Sequence, residues 1–250
     1  VLDLGCGTGK IAIPYARAVG KTGSVLGVDY SAESIAELLA KAQQAGLTNV
    51  RGAVGNLDDI QKECQKPSAV GILSHREDTN TRGQDARDTR NTCGQDARDT
   101  AQKFNVIVSS YAIYYATDMV ALLRSLAGRL TPGGQVFVCG PGEGTNREME
   151  RLVEQVAPQP EECPPPITDF ITMEQVAQTA SAYDWVDMKR LDNAVRFTNA
   201  ESLLRWWRNH NMHVASADEA VARAVEEHFA EHGEFVLTKN VLGVLFRAEA

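Results

Sequence analysis

Nothing in this chain is long and apolar enough to span a membrane. No uninterrupted apolar run approaches the ~20 residues that a spanning helix needs. Cysteine is scarce and unpatterned. The five thiols, Cys6, Cys64, Cys93, Cys139 and Cys163, are odd in number and form no C-x-x-C pair. That argues against a disulfide framework and a structural zinc site, so no metal is expected, and it fits a reducing, cytoplasmic setting. Positive charge is not in excess. Twenty-five Lys and Arg against thirty-three Asp and Glu leave a net charge of −8, which repels a phosphate backbone, so neither nucleic acid nor membrane is expected as a partner. A lead-in is missing too. There is no initiator Met and no signal peptide, and Val1 to Leu4 already reads as the inside of a buried strand. Residues are therefore expected upstream.

What is present is ordinary globular sequence. Of 250 residues, 43% are apolar and 23% charged, enough for one large domain or two small ones with a real core. Val1 to Leu4 is a short strand and Gly5-Cys6-Gly7-Thr8-Gly9 a glycine-rich turn. Lys10 to Val19 carries Ile11, Tyr15 and Ala18 at helical spacing. Ser24 to Val28 is a second strand closing on Asp29. Ser31 caps a helix through Ala45, with Ile35, Leu38, Leu39 and Ala42 on its dry face and Gly46 as its stop. Val50 to Val54 is a third strand. This alternation implies a parallel sheet with right-handed crossovers.

The rhythm resumes at Phe104 to Ser109, a run suited to a strand buried on both faces. Met119, Leu122, Leu123, Leu126 and Leu130 form a helix stripe, Thr131 to Gly134 a turn, and Gln135 to Cys139 a fifth strand. Further on come a helix from Asn146 to Val156, a proline-rich connector from Pro158 to Pro166, and a helix near Thr172 to Ala182. A strand-like stretch from Val186 to Phe197 follows. Asn199 then caps a helix carrying Leu203, Leu204, Trp206 and Trp207. The helix from Ala217 to His232 is stopped by Gly233, and Phe235 to Arg247 is strand-like with Gly243 as a bulge candidate.

Between Ile60 and Phe104 the pattern breaks. Gly83 to Thr89 reads Gly-Gln-Asp-Ala-Arg-Asp-Thr, and Gly94 to Thr100 repeats it. Arg76 to Lys103 holds six basic and six acidic residues and almost nothing large and apolar. Such a segment buries too little to offset its ordering entropy. An insertion is expected over about 61–103, with Arg76 to Lys103 exposed, mobile and dispensable, and a partner-binding arm as the other reading.

A glycine-rich turn between a buried strand and a helix is a ligand site by geometry. Its glycines let backbone approach a ligand, and the helix N-terminus offers unpaired N–H groups. A phosphate-binding P-loop is excluded, because Leu4 stands where its first glycine belongs and Ile11 follows Lys10. A dinucleotide-binding turn is weakened, because Lys10 stands at the third glycine of G-x-G-x-x-G.

Val-Leu-Asp-Leu-Gly-Cys-Gly-Thr-Gly closely resembles the first motif of class I S-adenosylmethionine-dependent methyltransferases. The resemblance continues in order through Gly27-Val28-Asp29-Tyr30-Ser31, Gly55-Asn56-Leu57, Phe104 to Tyr115 with Asp118, and Leu130 to Gly134. It covers residues 1 to about 141, apart from the repeat segment. It implies an α/β, doubly wound, Rossmann-like sheet of seven mostly parallel strands, with an antiparallel last strand at Phe235 to Arg247. It implies an S-adenosylmethionine-binding core at 1–141, and a part at 142–250 that completes the sheet and caps the substrate site. The cofactor would meet Asp3, Gly5, Cys6, Gly7, Gly9, Asp29, Tyr30, Asn56, Leu57 and Ser110. Asp3 would take its ammonium, Asp29 its ribose hydroxyls, and Leu57 its adenine ring through a backbone N–H. Asn56 stands where the family usually has an acid for the adenine amine, and Asp58 is the alternative. The alternative for Asp3 and Asp29 is a pair of turn-capping acids, against which stands the cost of an acid without a partner inside an otherwise apolar strand.

The expected function is methyl transfer to a small-molecule acceptor. The alternative is a degenerate methyltransferase-like fold used only for binding, with a dehydrogenase third. Tyr111 and Tyr114, at the end of the fourth strand, either line the acceptor pocket or pack the helix start. His210 is a base candidate with a structural role as the alternative. His228 and His232 stand at metal spacing among Glu227, Glu231 and Glu234, which reads as a solvated acidic face.

Overall fold

A computed structural model describes residues 1–64, 102–156, 170–210 and 213–249. The repeat pair and the proline-rich connector lie outside the described residues.

The first strand, β1 (Leu2–Leu4), is buried along its whole length. Helix α1 (Ala12–Val19) follows the glycine turn. Its buried face is Ala12 and Ala16, while Ile11 and Tyr15 are half-buried and Ala18 is exposed. The expected stripe is thus rotated, because two small side chains let the helix sit close to its neighbours. A 3₁₀ turn at Gly20–Thr22 leads to β2 (Val25–Asp29), wholly buried as central parallel strands are. Helix α2 (Ala32–Gln44) starts where the Ser31 hydroxyl accepts from Ser34 N–H at 3.1 Å. Ile35, Leu38 and Ala42 are buried, whereas Leu39 is 39% exposed. Leu39 sits at the margin of the stripe, against Gly52. Strand β3 (Val50–Val54) and helix α3 (Leu57–Cys64) end the first stretch.

Strand β4 (Phe104–Ser110) leads through a 3₁₀ turn at Ile113–Tyr115 to α4 (Met119–Ala127). Asp118 caps α4 by accepting from Ala121 N–H at 2.8 Å. The helix stops three residues before Leu130, which opens β5 (Leu130–Pro141) instead of closing the helix stripe. The expected turn at Thr131 to Gly134 is part of that strand, because the Gly133 N–H donates to Glu249 O at 2.6 Å and Ala248 N–H donates to Gly134 O at 3.0 Å.

The remaining elements are α5 (Arg147–Val156), α6 (Met173–Ala180), β6 (Trp185–Leu191), β7 (Ala194–Phe197), α7 (Ala200–Arg208), α8 (Asp218–His232), β8 (Phe235–Thr238) and β9 (Val241–Arg247). The main sheet has seven strands in the order β3-β2-β1-β4-β5-β9-β6. The β1–β2, β1–β4 and β2–β3 pairs are parallel. β9 is antiparallel to β5. As the β5 partners rise from Gly133 to Gly142, their β9-side partners fall from Glu249 to Asn240.

The two long strand-like stretches are each split. β7 and β8 leave the main sheet and pair antiparallel with each other, Ala194 opposite Thr238 and Phe197 opposite Phe235. The break in the second stretch falls at Lys239–Asn240, and β9 runs on through Gly243. Asn240 makes the corner. Its Nδ2 donates to Glu143 O at 2.9 Å, and its Oδ1 accepts from Asn193 N–H at 3.4 Å. Turn chemistry of this kind is invisible when apolar alternation is read straight through it.

The chain folds as two compact units. The first comprises Val1–Phe137, Gln178–Trp185 and Phe246–Ala250; the second comprises Val138–Ala177 and Val186–Leu245. The second unit has its own core, in which Met149, Leu203, Trp207, Val221, Val225 and Leu237 are fully buried.

Candidate functional site

In the first unit the chain order changes direction at β1, with β2 on one side and β4 on the other. Open α/β sheets bind ligands at the carboxyl ends of strands at such a switch point. The glycine turn sits there because it is pinned. Gly5 and Cys6 N–H groups both donate to Val28 O, at 2.8 and 3.0 Å. Gly7 N–H donates to Asp29 Oδ2 at 2.8 Å, and Ser31 N–H to Asp29 Oδ1 at 3.0 Å. Gly5, at φ +70°, cannot be replaced freely, since a Cβ there would lie 2.1 Å from the Ala112 Cβ. Gly7, at φ +49°, differs. A Cβ there would meet nothing within 4 Å, so the turn presents bare backbone to open space.

Asp3 lies beneath this turn, 1% exposed, and its Oδ2 has no hydrogen-bond partner in the protein. Burial pushes its carboxyl up to about 7, against the easing effect of the Ala12 N–H, and the Asp29 charge adds to the rise. Cys6 turns its side chain into the core with Ala12, Val25 and Leu38. Burial, then Asp3 and Asp29, raise its thiol to about 12. The sulfur is therefore an inert packing atom, and the turn side of Cys6 is backbone.

Tyr30 follows Asp29 and is 83% exposed. Asn56 is exposed, and its Oδ1 accepts from Asp58 N–H at 3.1 Å at the start of α3. Asp58 is tied elsewhere: Oδ1 accepts from Thr117 N–H at 2.8 Å and Oδ2 from the Thr117 hydroxyl at 2.6 Å. That clamp between α3 and the segment before α4 carries no sequence signal beyond an acid and a threonine far apart. Leu57, half-buried, is the first residue of α3.

Ser110 ends β4. Tyr111 follows with φ +57°, a left-handed conformation unusual for a bulky side chain, and is 47% exposed. Tyr114 is half-buried, with its ring 4.7 Å from that of Tyr115. Within the first unit, Asp3, Gly5–Gly9, Asp29, Tyr30 and Ser110–Tyr114 thus gather at the ends of β1, β2 and β4.

His210 belongs to the second unit. Its ring stacks on Trp206 at 4.6 Å, and its Nε2 lies 3.4 Å from Asn146 Nδ2. Burial, then the Lys239 charge, lower its pKa to about 4. His228 approaches His232 at 4.6 Å between ring centroids, and its Nε2 meets Glu234 O at 3.1 Å. Among the described residues no cluster of three or more His, Cys, Asp or Glu is placed to hold a metal ion. No helix among them is long and apolar enough to cross a membrane.

A family described as a methyltransferase domain matches residues 1–190, and the chain belongs to the class I S-adenosylmethionine-dependent methyltransferase family. It is 27% identical over 141 residues to the aklanonic acid methyltransferase DauC of Streptomyces sp. (strain C5), covering 56% of this chain and 47% of that protein. The chain thus spans about half the length of that relative. It is 24% identical over 227 residues to the nocamycin O-methyltransferase of Saccharothrix syringae, covering 84% of this chain and 68% of that one. The YcgJ protein of Bacillus subtilis has the same fold, with a TM-score of 0.57 at 13% identity over 100% of this chain and 91% of that one. The family implies S-adenosylmethionine as cofactor.

Proposed function

We propose that this chain transfers a methyl group from S-adenosylmethionine to a small-molecule acceptor. Asp3 carries the reading. A fully buried carboxyl with an unpartnered oxygen is unstable as an anion unless a cation or donor completes it. It lies beneath a turn whose Gly7 presents backbone to open space. The cofactor's ammonium supplies that partner, directly or through one water, and would draw the Asp3 pKa back down.

The other groups fit the same ligand. Each Asp29 oxygen holds one backbone N–H and keeps a second acceptor site for a ribose hydroxyl. The exposed Tyr30 ring offers an apolar face to adenine. Asn56 Oδ1 has one lone pair left for the adenine amine, and Leu57 offers its backbone N–H to the ring. The backbones of Gly5, Cys6, Gly7, Gly9 and Ser110 pass along the methionine part.

When bound, the cofactor supplies an electrophilic methyl on a sulfonium centre. The chain's part is to hold the acceptor in line with that methyl, exclude water and take up any proton released. Tyr111 and Tyr114 are assigned to the acceptor side, Tyr111 because a strained backbone at the end of a central strand marks a functional position. His210 is a poor general base, because an imidazole whose conjugate acid has a pKa of about 4 takes up a proton reluctantly. A structural role within the second unit suits it better. The names of DauC and of the nocamycin enzyme both point to small organic acceptors.

Calorimetric titration with S-adenosylmethionine, with NAD as the control, tests the reading. Asp29→Ala is expected to weaken cofactor binding by about 1.5–3 kcal/mol, the worth of hydrogen bonds to a charged group. Asp3→Asn is expected to weaken S-adenosylmethionine more than adenosine, since adenosine lacks the amino acid end. Wild-type affinity in a folded Asp29→Ala variant would remove the ribose assignment. Cofactor binding without methyl transfer to any member of an acceptor panel would favour a binding module.

A further inference from the structure

We infer that the second unit carries a ligand site of its own, formed by Asn146, His210 and Lys239 beside Trp206, for a small molecule that presents a hydroxyl group. The inference stands on that unit alone and does not depend on the methyl-transfer reading.

Asn146 is the starting point. It is only 6% exposed, and its Oδ1 has no hydrogen-bond partner. Its backbone holds φ +65°, a left-handed conformation that L-residues other than glycine adopt only where their surroundings impose it. The main chain is fixed there, since Asn146 N–H donates to Thr238 O at 2.8 Å. The other end of the amide is fixed as well. Asn146 Nδ2 lies 3.4 Å from His210 Nε2. The amide donates there when the ring is neutral with its proton on Nδ1, and burial of His210 favours the neutral form. The amide then faces the imidazole with its nitrogen, and its oxygen is left without a hydrogen-bond partner. A buried amide oxygen left so is destabilising by about 1–3 kcal/mol, and native structures rarely keep one without a ligand or an ordered water.

Lys239 brings the opposite chemistry. Its Nζ lies 4.5 Å from the centroid of the Trp206 ring, the ring on which His210 stacks. Among the described residues no carboxylate lies within ion-pair distance of that ammonium. Glu150, one turn into α5, also keeps an unpartnered buried oxygen, and burial, then Glu154 and Glu148, raise its pKa.

These groups select among functional groups. Asn146 Oδ1 asks for a donor, and Lys239 asks for an acceptor. A carboxylate cannot donate to the amide oxygen. An ammonium cannot accept and is repelled by Lys239. A hydroxyl does both, and an acidic one such as a phenol does so best, because its proton is a strong donor and its oxygen gains from the nearby cation.

The test is a titration of the full chain, followed by NMR of the Asn146 side-chain amide and the His210 ring, with four probes on one aromatic frame: phenol, anisole, benzoate and benzylamine. Phenol is expected to shift both signals saturably and to bind about tenfold tighter than anisole, the difference one hydrogen bond makes. Asn146→Gly is expected to fold, because glycine takes the left-handed backbone without strain, and to lose about tenfold in phenol affinity. Equal binding of phenol and anisole, tighter binding of benzoate or benzylamine, or wild-type affinity in Asn146→Gly would each overturn the site. A crystal soaked with phenol gives a second reading. A phenol oxygen within hydrogen-bond distance of Asn146 Oδ1 supports the inference, and a water there that phenol does not displace overturns it.

Discussion

Around the glycine turn of the first unit, the positions at positive φ are Gly5, Gly7 and Gly9, and the acid beneath them, Asp3, is held near neutral by burial. At the entrance to α5 in the second unit, Gly144 is also at positive φ, but the tight position that meets the imidazole of His210 is Asn146, a non-glycine. Both regions bury a titratable side chain and leave a polar oxygen without a partner. They differ in how the backbone is made to bend there. A glycine turn bends because its residues allow it, so it shows in the sequence. An asparagine bends because Thr238 on a distant strand holds it, so it does not.

Gly5→Val should separate the two regions most sharply. The new Cβ falls 2.1 Å from the Ala112 Cβ at a φ that a β-branched residue avoids. Destabilisation of about 4 kcal/mol is expected in urea unfolding, with partial recovery in the Gly5→Ala, Ala112→Gly pair. If Gly5→Val unfolds with wild-type stability, the turn is not rigid and the contrast fails.

The two buried titratable groups should tilt stability in opposite directions. Asp3 has a folded pKa of about 7 against an ordinary 3.8. Between those values the folded state keeps a proton that the unfolded chain sheds. Its contribution is fully present below about pH 4 and is lost as pH rises through 7, by on the order of 4 kcal/mol. His210 has a folded pKa of about 4 against an ordinary 6.5. Its contribution is present above pH 6.5 and is lost as pH falls through 4. In unfolding measured from pH 4 to 8, Asp3→Asn should remove the fall with rising pH and leave the variant more stable than wild type at pH 8. His210→Phe should remove the loss on the acid side. Parallel changes in the two variants would show that the two sites are not independently buried.

The strained non-glycines give a finer comparison. Tyr111 and Asn146 are the two described non-glycine residues at positive φ, one in each unit. Tyr111→Gly should stabilise by about 1 kcal/mol through relief of backbone strain alone, and Asn146→Gly by more, because it also removes a buried oxygen without a partner. Thermal unfolding of both reads the difference, and a destabilised Tyr111→Gly would argue against strain at Tyr111.

The smallest effects belong to the helix caps, where the units should not differ. Ser31→Ala and Asn199→Ala each remove one side-chain acceptor from a backbone N–H, Ser34 in one case and Ser202 at 2.9 Å in the other. Each should destabilise by about 1 kcal/mol. A cap with no measurable effect would mark its helix end as frayed.

How much was legible follows the same division. Val25 to Asp29, Val50 to Val54 and the caps Ser31 and Asn199 follow from local rules, because apolar runs and short polar side chains act over a few residues. The face of α1 did not follow. Ile11 and Tyr15 carry the hydrophobic pattern, but Ala12 and Ala16 are the residues that a close neighbour leaves room for. Leu130 continued a helical spacing and became a strand, because its hydrogen-bonding partners lie on a distant segment. Of the site, the glycines, Asp3 and Asp29 stand in one short motif and its sequel. The Asp58–Thr117 clamp and the Asn146–His210 contact join residues about sixty apart, and no local pattern marks them.

By itself, then, the sequence determined the alternation of strands and helices, the glycine turn and the family to which it belongs, since each rests on spacing within a few residues or on motifs in order. The tertiary structure alone decided that Phe235 to Arg247 divides between two sheets, that Cys6 packs inward, that Asp3 keeps an oxygen without a partner, and that Asn146 meets His210. Each of those depends on which distant groups remain unpaired once the chain is packed, a quantity that no stretch of sequence contains.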